Sequence, residues 1–257
     1  MSRKSLIVGN WKMELSHKSQ IELVRSLKQQ IKGVQVNGDV VVCPSFTALP
    51  IINEELARSK AIAVGAQNMF WEERGAHTGQ VSLMQIKPFV RWCIVGHSEV
   101  RAVMGVNDGQ VVASAARLLA ADVTPIVCIG ETQQERESDA MVDKIHAQVG
   151  ALLAGLDRAS LVRSVIAYEP IWAIGSGNLP DPDDVSQIIL LVRKLIAERH
   201  GQDLAERVRV LYGGSIKDDF CDQYVGGPLA DGLLVGGASI HPQEFLSIVR
   251  KVEAATV

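Results

Sequence analysis

Eight short apolar segments recur along the chain, and apolar and polar positions do not alternate within them. Strands that are buried on both faces have this pattern, which is typical of a parallel sheet covered by helices. The sequence therefore predicts eight parallel strands, at residues 5–10, 39–44, 61–68, 92–97, 124–130, 164–169, 209–214 and 231–237.

The segments between these strands have the apolar spacing of amphipathic helices. In residues 16–31 and 183–200, apolar side chains recur at three- and four-residue intervals, and residues 241–252 predict a further helix near the C-terminus. The start of the second helix is marked by Asp181 as a cap and by Pro182 in the first turn.

Strands that alternate with helices over 257 residues predict a single α/β domain, a (β/α)₈ barrel spanning residues 1–257. The alternative is a doubly wound open sheet, which usually has a glycine-rich turn after its first strand. The first strand here ends in GNWKM and lacks GxGxxG, so the barrel is favoured.

Charge and composition disfavour some classes of binding partner and some cellular compartments. The formal net charge is −3, which favours neither nucleic acid nor an anionic membrane as the main partner. Every apolar run is too short to span a bilayer, and the one at the N-terminus is too short for a signal peptide. Four widely spaced cysteines indicate buried thiols in a reducing compartment. We expect a soluble cytoplasmic protein.

Chemically active side chains stand where three predicted strands end, which is where barrels locate their chemistry. Asn10 and Lys12 follow the first strand, His97 and Glu99 the fourth, and Glu169 the sixth. Taken singly, each has a structural explanation, such as a core histidine or a surface lysine. Together they predict a base, an electrophile and a cation around one barrel mouth.

Two glycine-rich turns follow the seventh and eighth strands, at residues 213–215 and at Gly236-Gly237. A single Gly-Gly pair more often makes only a tight turn. Small residues also let backbone N–H groups approach an anion, and barrels often bind phosphate after these two strands. The two turns together predict a phosphate site.

The segment after Glu169 has the composition of a lid. Pro170 is followed by the apolar run 171–174 and by Gly175-Ser176-Gly177. This arrangement predicts a fixed carboxylate beneath an apolar loop with a flexible end.

Other chemistries lack their sequence patterns. The six histidines form no HxxxH or similar ligand pair, so no metal site is predicted, and no serine stands in a GxSxG turn. Residues 130–137, GETQQERE, are predicted to be a charged loop that leads into a solvated helix.

Eight motifs carry a resemblance to the triosephosphate isomerase family: GNWKM, GAQN, HTGQVS, GHSE, PIVCIGET, YEPIWAIGSG, YGGS and LVGGAS. In order and spacing they cover about residues 5 to 253. The resemblance implies interconversion of dihydroxyacetone phosphate and D-glyceraldehyde 3-phosphate through an enediolate, in glycolysis and gluconeogenesis. It implies no cofactor.

The resemblance also implies roles for individual residues. Glu169 would move the proton between carbons, His97 would polarise the carbonyl, and Lys12 would offset negative charge. Asn10 would fix the oxygen side of the substrate. The remaining residues would bind phosphate (Gly175, Ser215, Gly236 and Gly237), support the base and the electrophile (Cys128 and Glu99) or hold the closed lid (Tyr212, with Ser215).

A homodimer is implied as well, through the loop Gly75–Val81, with Thr78 reaching Asn10 of the neighbouring subunit. The family usually pairs an arginine with a glutamate across this interface, and the chain has Val100 and Gln80 at those positions. The chain departs from the family at three more positions: Val106 replaces a buried acid, Ser176 a threonine and Asn178 a common lysine.

Two alternatives to this function differ in class. One is an isomerase of a larger sugar phosphate, which would need more space at the mouth than the long apolar lid leaves. The other is a barrel without catalysis, which the absence of Lys12, His97 or Glu169 would favour; all three are present.

Overall fold

Eight parallel strands close into a barrel in which each strand pairs with its neighbours in chain order and the last pairs with the first. This computed structural model describes residues 3–256, so residues 1, 2 and 257 of the predicted domain lie outside the described part. The predicted α/β (β/α)₈ fold, a TIM barrel, is confirmed. The strands are β1 Leu6–Asn10, β2 Asp39–Cys43, β3 Ala63–Ala66, β4 Trp92–Val95, β5 Thr124–Ile129, β6 Val165–Tyr168, β7 Arg209–Tyr212 and β8 Gly232–Val235.

Helices follow the strands and surround the barrel. The predicted cap at the start of the ninth helix is confirmed, because Oδ1 of Asp181 accepts a hydrogen bond from the backbone N–H of Asp183 at 2.9 Å. The helices are α1 His17–Gln30, α2 Leu49–Leu56, α3 Leu83–Ile86, α4 Ser98–Met104, α5 Asp108–Ala120, α6 Gln133–Glu137, α7 Met141–Gly155, α8 Arg158–Val162, α9 Pro182–His200, α10 Gln202–Ala205 and α11 Pro242–Ala255.

The strands are apolar on both faces because each face meets a different core. In β2, Val41 and Cys43 belong to the cluster inside the barrel. Val40 and Val42 belong to the larger cluster between the barrel and the helices. Burial on both sides explains why the sequence shows continuous apolar runs instead of alternation.

Several predicted strands extend one or two residues beyond the observed ones. The strand pairing stops before Gly96, Glu169, Gly213 and Gly236, where the backbone turns toward the barrel mouth. These residues therefore lie at the carboxyl ends of the strands, as a site there requires. Among residues 3–256, no helix has both the length and the hydropathy of a membrane span.

Candidate active site

A cavity of about 590 Å³ opens at the carboxyl ends of the strands. Three of the predicted residues do not line it: Glu99, Tyr212 and Cys128. Its lining includes every other predicted site residue: Asn10, Lys12, His97, Glu169, Gly175, Ser215, Gly236 and Gly237.

Glu169 is held at the floor of this cavity and is 2 % exposed. Its Oε2 atom accepts a hydrogen bond from the backbone N–H of Ser98 at 3.0 Å. Its Oε1 atom lies 3.0 Å from Nε2 of His97, without the alignment of a hydrogen bond. Two glycines make room, since a Cβ at Gly130 would lie 1.7 Å from the Glu169 carbonyl oxygen and one at Gly213 would lie 3.1 Å from Cγ.

His97 is buried immediately before α4, and its Nδ1 atom accepts a hydrogen bond from the backbone N–H of Glu99 at 3.3 Å. A neutral ring in this geometry carries its proton on Nε2, which faces Glu169. Burial lowers the pKa of His97, whereas the Glu169 and Glu99 carboxylates raise it, and the net shift is upward. The bond to Nδ1 favours the neutral ring, because a protonated Nδ1 cannot accept.

Lys12 adopts the left-handed backbone conformation, with φ of +47°. Its backbone N–H donates to Oδ1 of Asn10 at 3.2 Å, and its carbonyl accepts from Nε2 of Gln67 at 2.7 Å. Its ammonium lies 2.5 Å from Oε1 of Glu99. Few residues other than glycine adopt such a φ, so the backbone of Lys12 is strained. These contacts hold it in the conformation that places the ammonium at the cavity wall.

Glu99 contacts both Lys12 and His97, but in different ways. Its carboxylate bonds Lys12, while Oε2 stays 3.7 Å from Nδ1 of His97, beyond hydrogen-bond distance. The backbone N–H of Glu99 makes the contact with the ring.

Cys128 lies in the interior of the barrel and is fully buried. Burial raises the pKa of its thiol, and the charge of nearby Glu169 raises it further. A neutral thiol beside the carboxylate agrees with packing near the base.

The glycine turns face the cavity on the side of β7 and β8. A short 3₁₀ helix, Gly237–Ile240, begins at this wall and follows Gly236. A Cβ at Gly236 would lie 3.6 Å from Cε of Lys12, so the backbone here runs close to the cation. Backbone N–H groups without side chains in front of them suit an anion.

The lid begins with a 3₁₀ turn at Ile171–Ala173 and contacts the turn after β7, where the Ser215 hydroxyl donates to the carbonyl of Ala173. The Ser176 hydroxyl donates to the same carbonyl at 3.1 Å and accepts from the backbone N–H of Asn178 at 3.1 Å. The Tyr212 hydroxyl is buried and has no hydrogen-bond partner among the described residues.

The sequence model of the triosephosphate isomerase family matches residues 5–252. The chain belongs to the triosephosphate isomerase family. Relatives named triosephosphate isomerase align with this chain over almost the full length of both proteins. The one from Endomicrobium trichonymphae is 41 % identical over 96 % of this chain and 98 % of its own length. Those from Alkaliphilus oremlandii (strain OhILAs) and Roseiflexus sp. (strain RS-1) are 39 % and 40 % identical over 96 % of this chain, and 99 % and 97 % of their own lengths.

Residues 130–137 form the predicted loop that leads into a solvated helix, α6. Within that loop Glu131 is fully buried, which the sequence did not indicate. Its Oε1 atom accepts hydrogen bonds from the indole of Trp172 at 2.8 Å and the hydroxyl of Tyr168 at 3.1 Å. Its carbonyl accepts from Ile171 at 3.0 Å. Its place at a strand end of a triosephosphate isomerase barrel was the signal that could have identified it.

Burial raises the pKa of Glu131, opposed by the hydrogen bonds from Trp172 and Tyr168 and by the charge of Arg136. The Arg136 guanidinium also stacks over the Trp172 ring, 4.7 Å from its centre, and pairs with Asp184 in the first turn of α9. The first residues of the lid are therefore held by a buried acid and a cation that the sequence analysis did not single out.

The positions that depart from the triosephosphate isomerase pattern are uncharged and fit their surroundings. Gln80 is exposed, and Val100 and Val106 are half-buried. Val106 packs against the outer core. Within residues 3–256, no three His, Cys, Asp or Glu side chains are grouped as a metal site would need.

Proposed function

We propose that the protein interconverts dihydroxyacetone phosphate and D-glyceraldehyde 3-phosphate by proton transfer through an enediolate, in glycolysis and gluconeogenesis. One observation carries the proposal. A buried carboxylate and an imidazole, Glu169 and His97, stand 3.0 Å apart at one end of a cavity whose other end is formed by two glycine turns. A phosphorylated three-carbon substrate can place its carbonyl end at this pair and its phosphate at the glycine turns.

Glu169 is the base. The proton on the carbon next to a carbonyl is weakly acidic, so the base must be desolvated and held close to carbon. Its two oxygens face the Ser98 N–H and the His97 ring. Binding of substrate between His97 and Glu169 requires the carboxylate to leave these groups and turn toward C1 and C2.

His97 is the electrophile and moves protons between the two oxygens. With Nδ1 accepting from the Glu99 N–H, the Nε2 proton is available to the substrate carbonyl and to the enediolate oxygen. Departure of Glu169 removes a carboxylate that raises the His97 pKa and leaves the burial that lowers it. This change lowers the His97 pKa and favours the neutral ring while the enediolate forms.

Lys12 and Asn10 act on the oxygen side of the substrate. The Lys12 ammonium offsets the charge of phosphate and enediolate, and its attachment to Glu99 limits its motion. Asn10 fixes the Lys12 backbone through Oδ1 and leaves its amide N–H₂ for the substrate.

The phosphate group is bound by backbone N–H groups of Gly175, Ser215, Gly236 and Gly237. Closure of the lid at residues 170–178 brings Gly175 onto the phosphate and excludes water, which holds back loss of phosphate from the enediolate. Ser215 already contacts the lid, and the unpartnered Tyr212 hydroxyl is available to the closed form. No cofactor or metal takes part, and the protein acts in the cytoplasm.

The functional unit is a homodimer joined through the loop Gly75–Val81. Support comes from exposed apolar side chains in the segments that follow β1, β3 and β4: Met13 is 96 % exposed, Val103 is 86 % exposed, and Met84 is also exposed. These segments all start at the barrel mouth, and an interface there would cover such side chains. In the dimer, Thr78 of one subunit braces Asn10 of the other, which makes a C₂ pair the catalytic form.

A coupled assay tests the reaction. Glyceraldehyde 3-phosphate is supplied with NADH and glycerol-phosphate dehydrogenase, so that formation of dihydroxyacetone phosphate oxidises NADH. Wild-type protein should turn over after dialysis against EDTA, and Glu169→Gln should be almost inactive. Loss of activity in EDTA that zinc or magnesium restores would contradict the mechanism, and absence of activity in the wild type would contradict the function.

A further inference from the structure

The side chain of Arg101 links β4 and β5 just beyond the point where the pairing of the two strands stops. The last paired residues of the two strands are Val95 and Val127. One residue further, Gly96 turns the chain with φ of +68°. Nε of Arg101 donates to the carbonyl of Gly96 at 2.8 Å, and Nη2 donates to the carbonyl of Cys128 at 3.3 Å. The guanidinium therefore satisfies two carbonyls at the end of the ladder, where the backbone loses its strand partners.

These two carbonyls belong to the segments that carry the reacting groups. Gly96 directly precedes His97, whose own carbonyl accepts from the backbone N–H of Arg101 at 2.9 Å. The residue after Cys128 in β5 accepts from the backbone N–H of Glu169 at 2.7 Å. A guanidinium bonded to both strands therefore links the segment of the imidazole to the strand that contacts the carboxylate segment.

Asp108 holds this guanidinium. Its Oδ1 atom lies 2.6 Å from Nη1 of Arg101, whose side chain is only 17 % exposed. A largely buried charge is costly without a partner, and among residues 3–256 Asp108 is the one carboxylate in ion-pair distance of Arg101. Asp108 is itself well placed, because it opens α5 directly after the Asn107 cap, where a negative charge is favourable.

We propose that Asp108 is a positioning residue for the isomerase reaction: it holds Arg101, which holds the ends of β4 and β5 so that His97 and Glu169 keep their working distance. Asp108 does not line the cavity and acts only through Arg101. This inference rests on the proposed function.

The test is Asp108→Asn, which keeps the size of the side chain and removes its charge. A displacement of about 1 Å can cost on the order of a hundredfold in rate, and Asn still donates and accepts locally, so we expect kcat to fall about tenfold. KM should change by less than about twofold, because the phosphate turns are on the other side of the barrel. Asp108→Glu should recover most of the lost rate.

Two inhibitors separate positioning from general damage. Phosphoglycolate, a planar mimic of the enediolate, should contact both His97 and Glu169. Its inhibition constant should therefore rise by about the factor by which kcat/KM falls. Inorganic phosphate needs only the glycine turns, and its inhibition constant should stay within about twofold of the wild-type value. An equal rise in the inhibition constants of phosphoglycolate and phosphate would show general loss of structure and overturn the proposal.

Further variants cover the remaining outcomes. Asp203→Asn is the control, because it removes an exposed ion pair with Arg158. It should leave kcat, KM and both inhibition constants unchanged. If Asp108→Asn does not fold, Arg101→Lys keeps the charge but cannot bridge both carbonyls, and it should reproduce the selective loss. A kcat within about twofold of wild type in both variants would overturn the role of Asp108. An inactive wild type would instead overturn the proposed function.

Discussion

The Oε1 atom of Glu169 lies 3.0 Å from Nε2 of His97, although the two residues follow strands that are not neighbours in the barrel. The other carboxylate oxygen accepts from the backbone N–H of Ser98. The proposed base therefore lies against the proposed electrophile. The length of the Glu169 side chain decides how far it can turn from that position toward carbon.

Shortening the base tests this geometry. Glu169→Asp should retain the fold, because the backbone and the charge are kept, but withdrawal of the carboxylate by about one carbon–carbon bond should lower kcat on the order of a hundredfold. KM should change little. The coupled assay measures both constants, and Glu198→Asp, on the exposed face of α9, is the matched control. A Glu169→Asp rate within about twofold of wild type would mean that Glu169 is not the base.

The protonation of His97 should depend on Glu169. The carboxylate raises the His97 pKa, and burial lowers it. Glu169→Gln removes the negative charge and leaves the burial, so the ring should lose its proton at a lower pH in the variant than in the wild type. Ring ¹⁵N chemical shifts during a pH titration report this directly. Identical titration curves would show that the contact between the two side chains is absent in solution.

The strands and most of the site could be predicted from the sequence because burial and turn chemistry are local signals. Continuous apolar runs marked the strands, and Glu169, Lys12 and His97 stand within two residues of a strand end. The position of these groups in space follows from the fold itself, since all the strands end at the same mouth.

The contacts that hold these groups depend on tertiary packing and leave no local pattern. Gln67 donates to the carbonyls of Lys12 and Cys43, and Arg101 donates to those of Gly96 and Cys128. Neither can be recognised in one sequence, because the partners are backbone atoms of distant segments. The burial of Glu131 was missed for the same reason, since its partners Tyr168 and Trp172 belong to a distant segment.

Stability should reveal the burial of Glu131. Burial raises its pKa, so its contribution is most favourable below the unfolded-state pKa near about 4.3 and is lost as the pH rises through the folded-state pKa. Gln does not titrate and can still accept from Trp172 and Tyr168. The free energy of unfolding of Glu131→Gln relative to wild type should therefore increase from about pH 4.5 to pH 8. Urea unfolding across this range measures the difference. A difference that is constant or that falls with pH would contradict a raised pKa.

The lid should respond to a phosphate-bearing mimic of the enediolate. Phosphoglycolate should bind tightly and bring residues 170–178 over the cavity, since the donors there suit a transition-state-like anion. The Ser215 bond to the Ala173 carbonyl should be replaced, and Tyr212 should gain a partner. A crystal structure of the complex tests this expectation. Phosphate bound at the mouth without contact to Gly175, Ser215, Gly236 or Gly237 would refute the phosphate site.

The proposed dimer should be insensitive to salt. Gln80 and Val100 cannot form an ion pair, and the exposed side chains Met13, Met84 and Val103 are apolar. Contacts of this kind are not screened by ions as exposed charges are. Light scattering should therefore give a dimer from low to molar salt, with activity falling only at dilutions that separate the subunits.

The double variant Gln80→Glu, Val100→Arg is the matched control, because it introduces the opposite charges and should make association salt-dependent. A wild-type dimer that dissociates on addition of salt would contradict the apolar interface, and a fully active monomer at high dilution would show that Thr78 of a second subunit is not needed.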